Sequence, residues 1–70
     1  MTRRRAEEIT VALTPRSLGE LEEVMDRESL SRTDAINRAI GLYAIASEEL
    51  AAGRELAFKD GDTIQVVTIL

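Results

Sequence analysis

Glu8-Ile9-Thr10-Val11-Ala12-Leu13-Thr14 decides the fold of this chain. Ile9, Val11 and Leu13 share one face of an extended segment; Glu8, Thr10, Ala12 and Thr14 share the other. That two-residue period is the pattern of a strand with one buried face. A strand alone is not stable in water, because both edges and its apolar face stay unsatisfied. The apolar segments that follow have helical spacing. The strand therefore pairs with a second copy of the chain or with a distant strand.

Downstream, Thr14-Pro15 reads as helix N-cap and first helical residue, where proline has no amide to leave unbonded. Leu18, Leu21, Val24 and Met25 recur at helical spacing over about residues 15 to 27, with Glu20, Glu22 and Glu23 facing water. Asp26 to Leu30 breaks the pattern. Ser31-Arg32-Thr33-Asp34 then resembles a capping box with aspartate in the acidic position, and Leu30 is placed to staple onto Ala35. A long second helix follows. Ile36, Ala39, Ile40, Tyr43 and Ala46 or Ser47 form one stripe, and Leu42, Ile45, Ala46 and Leu50 form another. A helix apolar around so much of its girth needs more neighbours than one short helix supplies. Gly53 stands where a glycine ends a helix.

Residues 54 to 70 change character. Leu56 and Phe58 alternate, Lys59-Asp60-Gly61-Asp62 signals a turn, and Thr63 to Leu70 is rich in β-branched residues. This predicts a β-hairpin around Asp60-Gly61. Its second strand is apolar on both faces near its end and requires a cover. The chain thus divides into a flexible basic arm (1–7), a strand-helix-helix unit (8–53) and a C-terminal hairpin (54–70).

Seventy residues form one domain that buries too little surface to be comfortably stable alone. With no Cys and no His, disulfides and Cys/His metal sites are excluded as staples, which leaves oligomerisation. No cofactor is expected. No apolar run approaches the roughly 20 residues of a membrane span. The arginines near the start precede no long apolar run, so no signal peptide is expected, and the reading favours the cytoplasm. The net charge is −4, but Arg3, Arg4 and Arg5 leave behind six basic and thirteen acidic residues, a net −7. A basic arm on an acidic body can still bind phosphate locally; by composition alone the solvated, disordered tail is the favoured reading. No enzyme constellation appears: the glycine-rich phosphate loop is missing, and Glu22/Glu23 and Glu48/Glu49 diverge on helices instead of forming an acid–base pair.

Strand, two helices and basic arm together resemble the ribbon-helix-helix (Arc/MetJ-like) family of dimeric DNA binders. The resemblance spans about residues 8–50. It is carried by Ile9 to Pro15, by Leu18, Leu21 and Met25, and most specifically by Leu30-Ser31-Arg32-Thr33-Asp34-Ala35-Ile36-Asn37-Arg38-Ala39-Ile40. It implies a mainly α homodimer with short β, in which the two strands form an intermolecular antiparallel ribbon over four helices. Ile9, Val11, Leu13, Leu18, Leu21, Met25, Ile36, Ile40 and Tyr43 would form the dimer core.

The family's function implies a transcriptional regulator binding double-stranded DNA, with the ribbon in the major groove. Glu8, Thr10 and Ala12 would then face the bases, and Ser31, Arg32 and Thr33 would hold a phosphate at the second helix start. Arg3, Arg4 and Arg5 would reach flanking phosphates. Two departures stand out. The ribbon lacks the Arg, Lys, Gln or Asn common at such positions, and Ser29 replaces a turn glycine. The alternative is a related dimer that binds a protein partner through residues 54–70, antitoxin-like, with weak or no DNA binding. Arg16 is a further candidate for the DNA backbone, and Arg38 is expected to pair with Asp34 at i,i+4.

Overall fold

The computed structural model describes residues 6–69. The expected arm arginines Arg3, Arg4 and Arg5, and Leu70, lie outside the described residues. The fold is mainly helical with a short two-stranded sheet. Helix α1 spans Pro15–Glu28, α2 Arg32–Ala51, strand β1 Leu56–Asp60 and β2 Thr63–Val67.

Each helix starts where a hydroxyl replaces the missing backbone partner. Thr14 is extended, and its Oγ1 accepts the Ser17 amide at 3.1 Å; Pro15 follows at the first helical position. Ser31 repeats the arrangement, its Oγ accepting the Asp34 amide at 3.1 Å. The helix ends also match each other. After α2, Gly53 has φ +86°, its amide reaches the Leu50 carbonyl at 3.0 Å, and the Arg54 amide reaches Glu49 at 3.0 Å. This is the Schellman arrangement, which satisfies carbonyls the helix cannot. After α1 the left-handed residue is Ser29 (φ 53°, ψ 48°), and the amides of Ser29 and Leu30 both donate to Met25.

A serine there carries a Cβ against the carbonyl that glycine would not. Ser29→Gly is therefore expected to raise stability by about 1 kcal/mol, read as a higher urea midpoint with unchanged slope. An unchanged or lowered midpoint would contradict a strained turn.

The reversal at Ser29 and Leu30 brings Glu28 back beside α2. Arg38 pairs there with Glu28 at 3.4 Å and not with Asp34, the partner expected from i,i+4 spacing. A tertiary partner has displaced the local one.

The hairpin register runs Leu56↔Val67, Ala57↔Val66, Phe58↔Gln65, Lys59↔Ile64, Asp60↔Thr63. The two-residue loop is therefore Gly61-Asp62, one position later than the expected centre. Positive φ falls on Gly61 (58°) and not on Asp62, as in a type II′ turn with glycine first. The second strand is also shorter than expected, stopping at Val67. β1 lies against α2.

Among the described residues, no strand pairs with residues 8–14; β1 and β2 pair only with each other. The segment leads into α1 with both backbone edges open. Burial is correspondingly slight. Among the described residues, only Ala35 (1 % exposed) and Ala46 (6 %) are buried hydrophobics. The radius of gyration is 14.9 Å, against about 11 Å for a compact domain of this length. One chain has assembled the frame of a core without closing it.

Candidate nucleic-acid interface

The open core defines which way the 8–14 segment faces. Ile9, Val11 and Leu13 line an apolar trough with Leu18 of α1 and Arg32, Ile36 and Ile40 of α2. Leu13, Ile36 and Ile40 also line an adjoining hollow with Leu21 and Val24. The two form a continuous apolar face across all three segments. Of the expected dimer-core residues, Leu21, Met25 and Ile36 are half-buried, while Ile9, Val11, Leu13, Leu18, Ile40 and Tyr43 are exposed. Tyr43 continues the stripe of Ile36 and Ile40 one turn further along α2 but lines neither hollow.

Glu8, Thr10 and Ala12 are exposed and lie outside the lining of that trough. The alternation read from the sequence thus separates an apolar face from a polar one. The polar face offers one hydroxyl, one methyl and one carboxylate. A hydroxyl bonds a base edge or phosphate, a methyl contacts the thymine methyl, and a carboxylate accepts from cytosine but repels phosphate.

Ser31, Arg32 and Thr33 stand together at the α2 start, all exposed. Ser31 Oγ is engaged by the Asp34 amide and the Thr33 carbonyl by Asn37 Nδ2 at 2.8 Å. Among the described residues, the Arg32 and Thr33 amides donate to no protein acceptor. They point out of the helix start, where its dipole favours an anion. Asp34 in the first turn takes part of that favourable field for itself.

Compared with family models, curated proteins and solved structures, the chain matches none.

The cations divide into paired and unpaired ones. Arg16 pairs with Glu20 at 3.7 Å, Arg38 with Glu28, and Arg54 with Glu49 at 2.9 Å. All are exposed pairs, of the kind worth little. Arg27, Arg32 and Lys59 make no ion pair among the described residues. Arg32 is the unpaired cation at the α2 start. Its side chain borders the apolar trough and also a shallow depression with Glu22, Met25, Asp26 and Leu30. It joins the apolar face to the helix start, a position no spacing in the sequence signals. The described residues hold no cluster of three or more metal-ligating side chains, and no helix is long and apolar enough to cross a membrane.

Proposed function

We propose that this chain is a homodimeric, sequence-specific DNA-binding regulator of the ribbon-helix-helix type, acting in the cytoplasm. One observation carries the reading: residues 8–14 present two unpaired backbone edges above an apolar trough that the chain leaves open. A second copy related by a two-fold axis would pair one of those edges and cover the trough at once. Its 8–14 segment pairs antiparallel with the first, and its Ile9, Val11 and Leu13 cover the same trough from the other side. A two-stranded ribbon has the width of the major groove and carries Glu8, Thr10 and Ala12 twice. The flanking helix starts, with Ser31, Arg32 and Thr33, hold backbone phosphates, and Arg3, Arg4 and Arg5 bind others beyond them.

Selection from random oligonucleotides with the purified full chain tests this directly. An enriched two-fold-symmetric site is expected; absence of binding even at low salt would sink the reading. Thr10→Ala is expected to flatten preference at one base position in each half-site by about 1 kcal/mol, roughly fivefold, with little change at other positions. A uniform loss across sequences would move Thr10 from bases to phosphate.

A second reading has its own support. Glu8 is unfavourable near phosphates, and the hairpin of residues 54–70 leaves Phe58, Ile64 and Val66 exposed. A dimer that docks a protein partner through that hairpin would account for both. Capture of such a partner by the full chain, abolished on removing residues 54–70, distinguishes it.

A further inference from the structure

The two edges of the hairpin differ. β1 lies against α2, whereas β2 touches β1 alone among the described elements. β1 also carries Lys59 and Asp60, while the sequence from Thr63 to Leu70 holds no charge at all. Exposed edge strands are ordinarily guarded by charge, proline or a bulge, and β2 has none of these. A two-stranded hairpin by itself is only marginally stable. Here just Leu56 and Val67, at the end nearest α2, are half-buried.

The register tells which backbone groups are free. Asp60 and Thr63 flank the two-residue loop and form a bonded pair, after which bonded and non-bonded pairs alternate. The amides and carbonyls of Ile64 and Val66 therefore point away from β1, and among the described residues neither has a backbone bond outside the hairpin. Their side chains stand on one face and are 65 % and 51 % exposed.

We propose that β2 is a second self-association surface: it pairs antiparallel with β2 of another copy of this chain, about a two-fold axis at Gln65. In that register Ile64 of each copy faces Val66 of the other. Both are outward-pointing positions, so each pair exchanges its amide–carbonyl bonds, roughly four bonds in all. Ile64, Val66 and Ala57 of both copies then form an apolar strip on one face of a four-stranded sheet, with Lys59, opposite Ile64, at its outer border. The charges agree with this occupant. Asp62 of one copy falls opposite Thr68 of the other, so no two acids meet across the new edge. A nucleic acid is disfavoured there, because β2 offers phosphate no cation. The surface is separate from residues 8–14, so with the proposed ribbon it builds a four-chain assembly.

The test is the mass of the full chain by sedimentation equilibrium, in multiples of 7.7 kDa. Four chains are expected. Val66→Pro removes an outward amide without breaking the β1–β2 ladder, and Ile64→Lys places a charge on the edge; each is expected to halve the mass. Lys59→Ala on the other strand is expected to leave it unchanged. Circular dichroism of the two edge variants checks that the helices persist. A two-chain parent unaffected by Val66→Pro and Ile64→Lys overturns the pairing and leaves the edge to a strand of another protein. A two-chain parent split by those variants but not by Val11→Asp upholds the pairing and overturns the ribbon instead. A single-chain parent overturns both.

Discussion

Val11→Asp is expected to abolish cooperative folding at concentrations where the parent chain is fully folded. Val11 is 61 % exposed in the single chain. Judged from one chain, a substitution there would change stability by roughly 0.5 kcal/mol or less. In the proposed ribbon the same residue lies at the centre of the apolar face, and both copies are buried. An unpaired carboxylate placed there costs several kcal/mol, and a two-fold assembly meets that cost twice. Against the roughly 5–15 kcal/mol that holds a small protein together, that loss leaves no folded dimer. The measurements are thermal unfolding by circular dichroism and mass by sedimentation equilibrium. The parent should melt at a temperature that rises with concentration. A Val11→Asp chain that melts like the parent would overturn the buried ribbon.

The second large effect belongs to the arm. Replacing Arg3, Arg4 and Arg5 together by alanine is expected to weaken DNA binding by two or more orders of magnitude at moderate salt. The body without the arm carries a net −7, and three of its cations already face glutamates. The arm thus adds three cations to Arg27, Arg32 and Lys59, which make no ion pair among the described residues. Each phosphate that the variant leaves unneutralised should lower the slope of log affinity against log salt by about 0.9. With two arms per dimer the slope falls by up to about 5. Arg54→Ala, at a paired surface position, should leave affinity and slope nearly unchanged. An equal slope for parent and triple variant would remove the arm from the interface.

The helix boundaries were legible because the residues that set them act locally. Thr14-Pro15, Ser31 and Gly53 each satisfy or release a backbone group within a turn of themselves. Ser29 was legible as a conflict, a residue with a Cβ where the chain needs a left-handed turn, and it adopts that turn. Local rules failed where a longer contact competes. Arg38 had an acid four residues away yet pairs with Glu28, because the reversal at Ser29 carries Glu28 past α2. The hairpin loop shifted by one residue, since Asp60, Gly61 and Asp62 are all turn residues and only the strand register decides among them. The candidate site was legible as an alternation, with large apolar residues at 9, 11 and 13 and Glu8, Thr10 and the small Ala12 between them. The place of Arg32, bordering both the trough and the helix start, was not legible, because it depends on how α1 and α2 meet.

The near-absence of a core within one chain also bears on dosage. Two buried alanines among the described residues give a lone chain little reason to stay folded; in the proposed dimer, folding and assembly would become one step. Below its dissociation constant, the proposed ribbon dimer would rise with the square of the chain concentration, and halving synthesis would quarter it. A single chain exposes Ile9, Val11 and the apolar stripe of α2 to proteases, while the proposed dimer would hide them. Turnover would therefore clear the scarce single chain and spare the pair. For the proposed dimer, the outcome would be a response to expression level with a threshold, set by an unfinished interior.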